Sequence, residues 1–122
     1  MLIYCCNDLI FATKIRSTAD ALDVVTRPVR NTDMLRARLD QIEDGKPNDP
    51  VTAFFLDLDT GDAGLQMLDL IKSHSPSIPV TAFGSHVAAE LLQEAKARGA
   101  DFVMPRSAFT ATLPDLISRC KD

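Results

Sequence analysis

The stretch FFLDLDTGDAG, residues 54–64, sets three carboxylates, Asp57, Asp59 and Asp62, directly after an apolar run. Carboxylates at that density serve as a phosphatase nucleophile loop, a calcium loop, a phosphoacceptor pocket, or simply the solvated turn after a buried strand. A calcium loop of the EF-hand type needs a correctly placed glycine and a bidentate glutamate at its end, and the string supplies neither. Gly61 and Gly64 beside them make Asp59 and Asp62 loop and helix-cap residues, with metal ligation as the alternative. Asp8 has the same two readings, helix cap first and metal ligand second.

Other reactive types are few. Gly84, Ser85 and His86 stand where a helix would open, so free backbone N–H groups there favour an anion; His86 is then either a solvated residue or a reader of phosphate or of an acidic partner. Cys5 and Cys6 are adjacent inside an apolar run and read as packed thiols, the alternative being a reactive Cys6 thiolate near Arg106. Three cysteines give no disulfide framework, and His74 and His86 fall outside any zinc-site spacing.

These groups need elements to hold them. Residues 2–6 (LIYCC), 23–26 (DVVT), 51–56 (VTAFFL), 78–83 (IPVTAF) and 101–104 (DFVM) read as strands. Between them lie helical patterns: Phe11, Ile15, Ala19 and Leu22 behind the cap Asp8; Leu35, Leu39 and Ile42 behind Asn31 or Thr32; Leu65, Leu68 and Ile71 after the acidic loop. Val87, Leu91, Leu92 and Ala95 follow a cap at Ser85 and stop at Gly99. Leu113, Leu116, Ile117 and Cys120 form the last helix, whose start is expected near Pro114. The segment EDGKPNDP is expected to be a turn.

Strand runs that are apolar throughout imply burial on both faces, the mark of a parallel sheet covered by helices on both sides. Right-handed crossovers then give an α/β, three-layer, doubly wound sheet of five strands in the flavodoxin-like order 2-1-3-4-5. Ligands in such folds bind beyond the carboxyl ends of the strands, at the switch point between the first and third. Asp8, Asp57, Asp59, Gly84, Ser85, His86 and Arg106 all fall on that rim.

Length and charge set further bounds. The 122 residues, 46% hydrophobic, predict one domain over residues 1–122. A net charge of -4 opposes nucleic-acid binding, and the one basic patch, Arg27, Arg30, Arg36 and Arg38, is diluted by Asp33 and Asp40. The apolar runs are far short of a membrane span and no leader precedes the first strand, so a cytoplasmic protein is expected, a monomer or weak homodimer.

FFLDLD, ending at Asp57, together with IPVTAFGSH and GADFVMPRSAF, resembles the receiver domain of bacterial response regulators over nearly the whole chain. The resemblance implies that Asp57 is the phosphoacceptor candidate, that magnesium is held by Asp57 with acidic partners such as Asp8 and Asp59, and that a hydroxyl residue and a lysine contact the phosphoryl group. Several positions depart from that pattern. Cys5 and Cys6 fall at the acidic pair, or, one register along, Asn7 and Asp8. Gly84 stands at the hydroxyl position with Ser85 one residue late. Arg106 stands for the lysine, Val103 for the aromatic switch residue, and the loop after Asp57 is one residue short.

The same DLDTG string is similar to the DxDxT loop of haloacid-dehalogenase phosphatases, but its threonine comes one position early and no room is left for a cap. A phosphocysteine loop is excluded by the lack of a glycine-rich phosphate cradle after Cys5 and Cys6. The expectation is therefore a degenerate receiver-like protein of the two-component type. It is not an enzyme; it acts by binding a kinase or output protein through the last two helices and fifth strand, and Asp57 pairs with Arg106. The alternative is a working phosphoacceptor that uses Asp57 and magnesium in a phosphorelay.

Overall fold

The computed structural model describes residues 1–40, 42–43, 46–47, 49–85 and 87–120. In chain order the elements are β1 (Leu2–Cys5), α1 (Leu9–Ala21), β2 (Thr26–Pro28), α2 (Thr32–Leu39), β3 (Ile42–Glu43), β4 (Lys46–Pro47), β5 (Ala53–Asp57), α3 (Asp62–His74), β6 (Val80–Gly84), α4 (Ala89–Ala97), β7 (Phe102–Pro105) and α5 (Arg106–Ser118). Five strands pair in parallel in the order β2-β1-β5-β6-β7. The tiny strands β3 and β4 pair only with each other, antiparallel. With that hairpin set aside the order is 2-1-3-4-5, the doubly wound flavodoxin-like arrangement.

The layering follows from alternation along the central strands. Ile3, Phe54, Leu56, Val80 and Ala82 face a core closed by Leu35 and Leu39 of α2, Leu65, Met67, Leu68 and Ile71 of α3, and Ala95 of α4. Leu2, Tyr4, Phe55 and Phe83 face the other way, against Ala12, Ile15 and Ala19 of α1 and Phe109, Leu113 and Ile117 of α5. Strands β1, β5 and β6 are buried along their whole length, which is why their sequences show no polar alternation. Each fully buried Phe or Leu contributes about 1.5–3 kcal/mol relative to exposure, so the central strands anchor the molecule.

Boundaries differ from expectation in several places. Ile42, expected on the second helix, lies in β3 after α2 has ended at Leu39, and Val87, expected on the fourth, precedes α4. The second strand begins at Thr26: α1 ends at Ala21, Asp23 takes φ 59°, and Val24 N–H donates back to Ala19 O, so residues 22–25 form the turn that leads from α1 into β2. Pro28 is tolerated in β2 because that strand is an edge of the sheet. Ser85 does not cap α4: the helix starts at Ala89 with Ala88 as an N-cap that offers no side-chain bond. The last helix begins at Arg106, well before Pro114, which sits in its interior. An interior proline costs about 3 kcal/mol, and the complete burial of Phe109, Leu113 and Ile117 along the same helix offsets it. Inside EDGKPNDP, where a plain turn is expected, the short hairpin β3–β4 forms.

Candidate functional site

The rim at the carboxyl ends of the strands is built by β5, β7 and the loop after β1. Asp57 is the last residue of β5, in register with Phe83 on β6, and Gly84 at the end of β6 is in register with Pro105. Arg106 follows Pro105 as the first residue of α5. The sheet therefore places Asp57 and Arg106 on one edge although 49 positions separate them.

Asp57 is only 2% exposed, and both of its carboxylate oxygens are engaged. Oδ1 accepts from Arg106 Nη2 at 2.9 Å and from the Asp59 backbone N–H at 3.0 Å. Oδ2 accepts from the Cys6 thiol at 3.4 Å. The first of these bonds is charge-assisted, and the second caps the 3-10 turn of residues 58–60. Thr60 Oγ1 locks the same turn by donating to Asp57 O at 2.6 Å. Gly64 is required one step further on, since a Cβ there would collide with Thr60 Oγ1 and Leu56 Cδ1. Gly61 makes the bend between the turn and α3, with φ 69° and ψ -141°, a backbone that L side chains avoid.

Arg106 Nη2 also donates to Asp59 Oδ2 at 2.8 Å, so one nitrogen bridges two carboxylates. The guanidinium lies 5.4 Å from the ring centroid of Phe11 and 5.9 Å from that of Phe83, within cation–π range of both. Below it, Phe83 stacks on Phe109 with centroids 4.0 Å apart, and Phe109 is fully buried. Desolvation alone would lower the Arg106 pKa, but the carboxylates of Asp59 and Asp57 outweigh it and hold the group above its usual value. Its Nε is buried with no hydrogen-bond partner among the described residues, so the fork grips through one arm only.

Cys6 sits beside this pair with its thiol pushed up to about 12, first by desolvation and then by the neighbouring Asp57 carboxylate, against a lowering bond to Asp8 O. Cys5 is likewise raised, chiefly by burial. Both shifts disfavour the thiolate, which weighs against the Cys6–Arg106 redox reading.

The expected switch-point pocket is assembled only in part. Asp57, Asp59 and Arg106 meet. Asp8 is committed elsewhere: its Oδ1 accepts from the N–H groups of Ile10 at 3.0 Å and Phe11 at 3.1 Å, capping α1. Gly84 packs against Leu58 with space for a Cβ at ordinary contact distances. Ser85 Oγ accepts weakly from Val87 N–H at 3.4 Å, and His86 lies outside the described residues. Asp62 is the first residue of α3, whose N-cap is Gly61.

The magnesium set Asp8, Asp57 and Asp59 does not fit the ion as these residues are placed. A guanidinium already pairs with both Asp57 and Asp59, a thiol is a poor partner for a hard cation, and Asp8 caps a helix. Among the described residues no group of three or more His, Cys, Asp or Glu is placed to hold a metal. The Cys6 bond to Asp57 was not foreseen; no one-dimensional signal distinguishes a packed thiol from one aimed at a carboxylate on another strand.

Comparison with solved structures matches this architecture closely. The receiver domain of NtrX from Brucella abortus superposes with a TM-score of 0.76 at 20% identity, covering 98% of this chain and 97% of that one. The chain has the receiver fold. The phosphorylated cyanobacterial phytochrome response regulator RcpA gives a TM-score of 0.70 at 18% identity over 97% of this chain and 89% of that one. A response regulator receiver domain protein from Clostridium thermocellum gives 0.74 at 13% identity over 98% and 91%. Against a longer NtrX chain, crystallised with ADP, the match spans 25% of that chain's length. No family model matches the chain, and no curated protein matches it by sequence. The receiver fold thus rests on three-dimensional likeness. Among the described residues no helix is long and apolar enough to cross a membrane.

Proposed function

We propose that this chain is a receiver-like signalling module of the two-component type that works by binding a protein partner, a kinase or an output protein, and does not carry a phosphoryl group efficiently. The supporting observation is the Arg106 bridge to Asp57 and Asp59, at 2.9 and 2.8 Å. A carboxylate attacks phosphorus only with a free oxygen and with charge compensation that can move onto the incoming phosphoryl group. Here Asp57 Oδ1 accepts two donors, Oδ2 accepts a thiol, and the cation is locked against two aromatic rings. Gly84 lacks the hydroxyl that would hold the transferred group.

The likeness to receiver domains supports a signalling role, and signalling without turnover requires a surface. Leu9, Ile10 and Val87, each at least 79% exposed, sit where α1 and the segment before α4 begin, beside the rim. Phe102, 49% exposed, adds an apolar residue to the edge strand β7.

Incubation with acetyl phosphate and magnesium, followed by intact-mass measurement, tests the reading. The expected result is no adduct above the level given by Asp57→Asn. A stoichiometric, base-labile adduct that disappears in Asp57→Asn would restore the phosphorelay alternative.

A further inference from the structure

The ends of α2 and α3 carry a second cluster of reactive side chains, on the side of the sheet where the strands begin and away from Asp57. His74 is the last residue of α3 and Ser75 its C-cap, with the helix stopped by φ -142° and ψ 69° at Ser75 and by Pro76 after it. Asp40 is the C-cap of α2. Leu35 and Leu39 of α2 share one core with Leu68 and Ile71 of α3, so the two helices finish side by side. His74 Nε2 lies 2.9 Å from Asp40 Oδ1, and His74 Nδ1 lies 2.7 Å from Ser75 Oγ.

Donor and acceptor capacity fixes the protons. An ionised carboxylate only accepts, so in the neutral ring Nε2 carries the hydrogen and donates to Asp40. Nδ1 is then a lone pair, and the Ser75 hydroxyl donates to it. Nucleophile, base and orienting carboxylate thus stand in the order used by serine hydrolases, with the two ring nitrogens exchanged. Other serines lack this: the hydroxyls of Ser17, Ser73 and Ser118 donate to the backbone carbonyls of Thr13, Leu70 and Pro114, which take up no proton. When His74 takes the proton from Ser75, the imidazolium forms between the Asp40 carboxylate and the negative end of the α3 dipole, and both favour positive charge. The His74 and Asp40 side chains are 30% and 46% exposed, so a small reagent reaches the cluster from solvent.

We propose that Ser75 is an acyl-acceptor nucleophile, activated by His74 and Asp40, for small activated acyl donors such as aryl esters, thioesters and acyl phosphates. Ser75 Oγ attacks the acyl carbon and its proton passes to His74 Nδ1. The bond from that carbon to the leaving oxygen or sulfur breaks, the leaving group departs with the electron pair, and His74 returns the proton to it or to water. The product is an ester on Ser75. The assignment does not rest on the signalling role proposed above, because it uses none of the residues around Asp57.

The test is incubation of the full chain with 4-nitrophenyl acetate at neutral pH, with peptide mapping of timed samples. An acetyl group on Ser75, released by hydroxylamine as an ester is, should appear faster than on Ser73 by about tenfold or more. His74→Gln keeps a hydrogen-bonding side chain without a base and should bring Ser75 down to the rate of Ser73. Asp40→Asn, whose amide can donate to Nε2 and so select the wrong tautomer, should slow Ser75 by about threefold or more. Both substitutions lie at exposed positions and should leave the thermal midpoint nearly unchanged, so a lost reaction reports chemistry and not unfolding. Acetylation confined to lysines, equal rates at Ser73 and Ser75, or a Ser75 rate that either variant leaves unchanged would overturn the proposal.

Discussion

At the scale of single residues, the chemistry around Asp57 is decided by what its two oxygens already hold. A carboxylate attacks only with a free oxygen; at Asp57 a planar guanidinium, set against Phe11 and Phe83, already holds Oδ1. Arginine is charged at every accessible pH, so the clamp has no protonation switch of its own. Cys6 is the titrating neighbour. With its thiol pushed up to about 12 by desolvation and by Asp57, its thiolate fraction at pH 8 is at least a hundredfold below that of an ordinary cysteine near 8.5. Peptide mapping after iodoacetamide treatment at pH 8 should therefore show Cys6 modified at least a hundredfold more slowly than a cysteine in an unstructured peptide. Asp57→Asn should speed that reaction by removing a negative neighbour. Rapid alkylation of Cys6 in the folded wild type would contradict the geometry.

At the scale of elements, the parallel sheet was legible because runs such as FFL and VTAF lack alternation, and the caps Asp8 and Asn31 were legible because short polar side chains precede helical periodicity. What was not legible depended on contacts between distant segments. Ser85 looks like a cap, but the chain makes a further turn before α4 begins. Pro114 looks like a helix start, and burial of Phe109 on the far side of it overrides that local preference. Asp101 is another such case: its Oδ2 accepts from Lys72 Nζ at 2.6 Å and from the Val80 N–H at 2.7 Å, tying α3, β6 and the start of β7 together. Desolvation acts to raise its pKa, but Lys72 and the Val80 N–H prevail and hold it below its usual value. A carboxyl lowered in the folded state stabilises the fold above its unfolded value, about 3.9, and loses that contribution as pH falls through the lowered one. Urea midpoints should thus show Asp101→Asn less stable than wild type at pH 7, with the gap closing below about pH 4. A gap independent of pH would mean that the charge on Asp101 contributes nothing.

At the scale of the whole molecule, the order β2-β1-β5-β6-β7 brings residue 57 and residue 106 to the same edge with β6 between their strands, and the ion pair then fastens that edge across the sheet. The sequence foretold that meeting through topology alone; the commitment of Asp8 to its cap and the thiol on Asp57 required coordinates. The account stands or falls on whether Asp57 and Arg106 act as one unit. A double-mutant cycle of Asp57→Asn and Arg106→Gln, read by equilibrium unfolding, measures this directly. With Asp57 buried and Arg106 about one third exposed, the account predicts a coupling of about 1–3 kcal/mol, each single substitution costing most of what the pair of substitutions costs. Independent effects that simply add, with a coupling below about 0.5 kcal/mol, would contradict it.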